Sequence, residues 1–160
     1  MTSPTAVDLR IAALPAELLA GVRDSGVDAT GSPVAHLAAE GGEPLRCCLS
    51  DARPGEAIVL FRHQPPHTAG AYREIGPVFA HAGDCGGYDG PAGYPADWRH
   101  RPQVLRAYDA AGRIHPATRV HDGTDPPAEI AEVLAQPGVV AVHSRNIAYG
   151  CFMFAVTRVD

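Results

Sequence analysis

The apolar positions of the chain fall in short blocks cut apart by Pro and Gly, and most blocks alternate with the period of a strand rather than the period of a helix. Residues 7–14 alternate as a first strand, and Pro15 then opens a short helix reaching about Val22, with proline at its favoured first position. The polar, Gly-rich stretch 24–44 holds a short strand at 34–38, and Asp51-Ala52-Arg53-Pro54-Gly55 reads as a turn. Residues 56–63 form a largely buried strand that Pro65 and Pro66 end, and 76–82 form the next. A loop over 83–103 follows, rich in Gly and Pro yet carrying Tyr88, Tyr94 and Trp98. Residues 104–108 and 113–120 read as a hairpin about Asp109-Ala110-Ala111-Gly112. Asp125 caps a helix through about Ala135, which Gln136-Pro137-Gly138 stops, and strands at 139–145 and 151–156 close the chain.

Many strands, two short helices and no regular βα alternation predict an α+β fold with a mostly antiparallel sheet of about six to eight strands. The length of 160 residues suits a single domain over 1–160, with 1–6 as a flexible tail, and no internal repeat or linker divides it.

Composition narrows the chemistry. A formal charge of −5 gives no footprint for nucleic acid, and the short run of Arg99, Arg101 and Arg106 reads as a solvated face. All 13 basic residues are arginine. Without lysine there is no Schiff-base chemistry and no Walker-type P-loop, so a fixed anion site must use Arg or backbone N–H groups. No apolar run approaches the length of a spanning helix and the N-terminus lacks a secretory pattern, so a cytoplasmic protein with no membrane partner is expected. The four cysteines (Cys47, Cys48, Cys85, Cys151) are then thiols or metal ligands. If their segment is extended, adjacent Cys47 and Cys48 point to opposite faces and would not chelate one ion together.

The densest polar cluster is His143-Ser144-Arg145-Asn146, at the end of an apolar strand and just before Gly150-Cys151. Strand periodicity puts Val139, Ala141, His143 and Arg145 on one face, where Arg and His could grip an anion and move a proton. The alternative is a structural ion pair at Arg145 and a satisfied interface histidine. Asn146 is a ligand contact or a residue in a left-handed turn, and Cys151 is an acid, a nucleophile or plain packing. Glu74, in Tyr72-Arg73-Glu74, is a proton acceptor at a pocket mouth or half of an exposed pair with Arg73. Arg62, inside an apolar strand, is a second anion-binding candidate because a buried guanidinium needs a partner. His81 and Cys85 make an H-x3-C pair, and with His143 and Cys151 they could complete a zinc or iron shell. His63 and His67 are set aside as a ligand pair because Pro65 and Pro66 forbid a helix between them. The Gly86-Gly87-Tyr88-Asp89-Gly90 run lacks the strand–helix context of a nucleotide fingerprint.

Together, Arg46-Cys47-Cys48-Leu49, Pro54-Gly55-Glu56, the stretch from Tyr72 to His81, Cys85, the stretch from Val142 to Asn146, and Gly150-Cys151-Phe152 resemble a bacterial family catalogued as domain of unknown function 1203. The resemblance runs from about Arg46 to the end and implies a stand-alone cytoplasmic protein, without assigning catalytic residues. The residues themselves lead to a small-molecule enzyme of isomerase, lyase or cyclase type that needs no organic cofactor. In it Arg145, Arg62 and Asn146 hold an anionic ligand, and His143, His81, Cys85, Cys151 or Glu74 handle protons. Tyr88, Tyr94 and Trp98 cover the pocket. A non-catalytic ligand-binding module and a His81–Cys85–His143–Cys151 metal site are the rival readings, and a homodimer through sheet edges fits any of them.

Overall fold

The computed structural model describes residues 8–89 and 93–159. The expected tail 1–6, together with Val7 and Gly90, lies outside the described residues. In chain order the elements are β1 (Leu9–Ala12), α1 (Ala16–Ser25), β2 (Ala35–Ala38), β3 (Pro44–Leu45), β4 (Ser50–Asp51) and β5 (Ala57–His63). β6 (Gly76–His81), β7 (Gln103–Tyr108), β8 (Arg119–His121), α2 (Pro126–Leu134), β9 (Ala141–Arg145) and β10 (Phe152–Arg158) complete the set. The α+β class holds, but the strands form two five-stranded sheets in place of one larger sheet. One has the order β1-β10-β9-β7-β8 and is antiparallel throughout. The other has the order β2-β5-β6-β3-β4 and is antiparallel apart from a parallel contact of β3 with β6.

Burial explains the split. β9 is buried along its whole length, so both of its faces need cover. On one face α2 lays down Ile130, Val133 and Leu134 against Leu105, Val142, Phe154 and Val156. Towards the second sheet, Phe152 and Ala155 join Ile58, Phe61, Val78 and Ala80, with Leu19 and Val22 of α1 closing the side. Phe152 and Phe154 would share a face in a regular strand, but the register shifts between them. This bulge sends their rings into different cores.

The aromatic loop is part of the second core and not a cover over a pocket. Trp98 is fully buried, stacks on Phe154 at 6.1 Å between ring centres, and donates Nε1–H to Asp51 at 2.9 Å. Tyr94 meets the same Phe154 edge-on at 5.6 Å. Burying two large apolar rings is worth several kcal/mol, which anchors the loop where it leaves solvent. Among the described residues, no helix is long and apolar enough to cross a membrane.

Candidate metal centre

Three cysteines and a histidine converge where the turn after β3 meets the end of β6. Cys47, Cys48, His81 and Cys85 each offer a ligand atom, and all four atoms lie within 4.8 Å of one another. Leu49 N–H donates to the Leu45 carbonyl at 2.9 Å, closing a single helical turn around Arg46, Cys47 and Cys48. Leu49 takes a left-handed φ of 54° to leave it. This turn corrects the expectation that Cys47 and Cys48 face apart: neighbours in a helical turn diverge by about 100° and not by 180°. Their sulfurs stand 3.9 Å apart.

His81 is the last residue of β6, and every polar group it owns is engaged. Its backbone N–H donates to Cys47 Sγ at 3.3 Å, and its carbonyl accepts from Arg23 Nε and Nη2 at 3.2 and 3.0 Å. Ring Nδ1 lies 3.4 Å from Cys47 Sγ and 3.8 Å from Cys48 Sγ. Nε2 lies 2.8 Å from Glu56 Oε2, and Glu56 Oε1 in turn accepts the Arg53 N–H at 2.6 Å. A carboxylate on Nε2 fixes the tautomer that leaves the Nδ1 lone pair facing the sulfurs, as in carboxylate–histidine–metal arrangements. Cys85 enters from the loop beyond β6. Gly86 and Gly87, at φ 85° and 78°, turn the chain back so that Gly87 runs beside the Cys47 carbonyl. The glycine run therefore wraps this cluster.

The electrostatics suit a cation. Cys48 is pulled down to about 5, first by the Cys47 thiol hydrogen bond and then by Ser50, 2.9 Å away, and by His81. Cys47 is driven up, chiefly by the same Cys48 contact and by burial. One proton between two sulfurs describes the pair without a cation. Zinc bonds of about 2.3 Å to sulfur and 2.0–2.1 Å to nitrogen imply tetrahedral edges of about 3.8 Å (S–S) and 3.5 Å (S–N). The separations of 3.9, 3.4 and 3.8 Å among Cys47, Cys48 and His81 match that size, and Cys85 offers a fourth donor within 4.8 Å of each.

Of the four ligands expected from sequence, His81 and Cys85 are at this site while His143 and Cys151 are elsewhere. His143 is fully buried on the inter-sheet face, its ring 4.5 Å from Tyr108 and 4.9 Å from Phe152, with neither nitrogen hydrogen-bonded. Burial pushes it down to about 3, with Arg145, His67 and Arg106 adding repulsion and the Pro66 carbonyl opposing, so it is neutral near pH 7. Arg145 shares that face but is committed to Glu74 through both terminal nitrogens, with Nη2 at 3.0 Å, and it donates Nε–H to the Gly150 carbonyl at 3.1 Å. Glu74 thus pairs with Arg145 and not with Arg73, one of the two roles expected for it; Arg73 bonds Gln64 at 3.1 Å. Arg62 is not buried: its side chain is 52% exposed and reaches Asp28 at 3.5 Å and Ser32. Asn146 is not left-handed; its side chain accepts the Tyr149 N–H at 3.2 Å and shapes the turn ahead of half-buried Cys151. Tyr88 is half-buried with its hydroxyl sealed and unpartnered.

The residues that sequence reasoning passed over are Cys47 and Cys48 as ligands, Glu56 behind His81, and Arg46. The strands flanking Cys47-Cys48 span only two residues each, too short to leave a hydrophobic period, so no pattern along the chain signalled the turn between them.

The family described as Protein of unknown function (DUF1203) matches residues 42–158, and the chain belongs to that family. No curated protein and no solved structure matches it.

Proposed function

We propose that this member of the DUF1203 family is a zinc-binding protein whose ion is held by Cys47, Cys48 and Cys85 through sulfur and by His81 through Nδ1. The observation that carries the reading is the convergence of four ligand atoms within 4.8 Å, backed by a carboxylate on the outer nitrogen of the histidine. Three thiolates and one imidazole are a donor set that zinc prefers, and four protein ligands fill a tetrahedral shell. A filled shell has no position for substrate or water, so the ion's role is to join parts of the chain. Here it ties the loop after β6 to the turn after β3 and to the end of β6 itself. Glu56 and Arg23 hold the histidine in place, and Ser50 supports Cys48.

Stated as an activity, this is a metal-stabilised binding or scaffold protein rather than an acid–base enzyme centred on His143. A sealed neutral imidazole and a guanidinium already neutralised by Glu74 give that enzyme little to work with. Elemental analysis of the purified chain tests the proposal, with close to one zinc per chain expected. Cobalt substitution should give the intense visible bands of a tetrahedral thiolate site, and Cys48→Ser and Cys85→Ser should each abolish them. Protein free of zinc and unable to take up zinc or cobalt after reduction refutes it.

A further inference from the structure

A cleft of about 670 Å³, whose lining includes none of the four candidate zinc ligands, lies between β2, the ends of β3 and β6, and the turn ahead of β10. Its volume falls in the range of small-molecule sites, about 300–1,000 Å³. One wall is apolar, formed by Leu37, Leu60, Pro77 and Phe79. Arg46 also lines the cleft and is only 2% exposed.

Arg46 is the residue in the cleft whose charge is unanswered. It donates Nε–H to the Phe152 carbonyl at 2.8 Å and Nη1–H to the Pro44 carbonyl. Two of its five N–H groups are thereby used, and both acceptors are neutral. Among the described residues no carboxylate lies within 4.0 Å of it. Among the described residues Nη2 has no acceptor and is not sealed from solvent, and Arg46 lines the cleft. The other charges lining the cleft are accounted for. Arg101 grips Asp51 at 2.8 Å, and Glu43 accepts the Glu40 and Gly41 N–H groups at 2.9 and 2.8 Å, while Glu40 itself lies exposed to water. A buried guanidinium without a counter-ion is costly, and its planar free edge matches a carboxylate.

We infer that this cleft binds a small organic acid, with the carboxylate on the free edge of Arg46 and the apolar body against Leu37, Leu60 and Phe79. None of the side chains lining the cleft is a ligand in the zinc reading, although Arg46 shares the turn that carries Cys47 and Cys48. The inference also moves the anion-binding role expected of Arg145 and Arg62 to an arginine whose charge no carboxylate among the described residues meets.

Calorimetric titration of the full chain, as purified and at low salt, tests the inference with hexanoate and with hexylammonium, which has the same shape and the opposite charge. Hexanoate should bind saturably at one site and hexylammonium should not bind. Arg46→Gln should weaken hexanoate at least about tenfold, as expected for loss of a charge-assisted contact. Arg46 also braces two backbone carbonyls, so Leu37→Glu provides a second variant. Leu37 is 44% exposed on β2, and an acid there repels the ligand without touching any bond of Arg46. It should reduce hexanoate binding by a similar factor. Absence of saturable hexanoate binding, equal binding of hexylammonium, or an unchanged affinity in Leu37→Glu would overturn the inference.

Discussion

Replacing Glu56 probes the metal centre without removing a ligand. Glu56 touches no sulfur; it holds the outer nitrogen of His81 at 2.8 Å and is itself held by Arg53. Losing such a supporting carboxylate typically lowers metal affinity 10–100-fold. At fixed free zinc this removes about 1.4–2.8 kcal/mol of zinc-linked stability. Without zinc the loss is much smaller, because the Glu56 side chain is 34% exposed and solvent screens its pairing with His81. Glu56→Ala should therefore weaken zinc by the full factor. Glu56→Gln keeps an acceptor for the Nε2–H but not its charge, and should fall between Ala and the native protein. Competition against a chromophoric zinc chelator reads the affinity, and urea melts with and without excess chelator read the two stabilities. The reasoning fails if Glu56→Ala binds zinc as tightly as the native protein, or if it loses equal stability in both melts.

Three further outcomes follow from the same geometry. His143 is held neutral down to about 3 when folded but takes a proton near 6.5 when unfolded, so the unfolded chain binds more protons between those values. Its contribution to stability is complete above about pH 6.5 and is lost as the pH falls towards 3, at roughly 1 kcal/mol per pH unit, and His143→Phe should flatten the acid limb of stability measured against pH. Glu74→Ala leaves the nearly buried Arg145 guanidinium without its carboxylate and should cost about 2 kcal/mol in denaturant melts, whereas changes of arginines on exposed faces should cost little. Gly123 sits at φ 85° with a virtual Cβ only 2.5 Å from the His100 carbonyl, so Gly123→Ala should lower the melting temperature by several degrees, reflecting a loss above about 1 kcal/mol.

Much of the fold was legible because the long strands declare themselves. β5, β6, β9 and β10 lie where period-two alternation and flanking Pro or Gly put them, and α2 begins at Pro126, with the Asp125 side chain accepting the Ala128 N–H at 3.4 Å. β3 and β4 span two residues each, too short for any hydrophobic period, and missing them hid the turn that brings Cys47 and Cys48 together. Parity on β9 was legible as well: His143 and Arg145 do share the inter-sheet face. Parity does not say what waits on the other side, and there Glu74 and the rings of Tyr108 and Phe152 claim both residues. The H-x3-C spacing of His81 and Cys85 was a true local signal. Its completion came from a segment more than 30 residues upstream, a distance over which one sequence carries no pairing information.

The first strand in the chain has the last as its neighbour: Leu9 stands opposite Arg158 and Ala12 opposite Ala155. A ribosome making this protein releases β1 long before β10, so β1 emerges with no edge of that strand to dock on. Closure of that sheet must therefore wait until β10 has emerged, which makes its completion a slow, long-range event in the life of each new molecule.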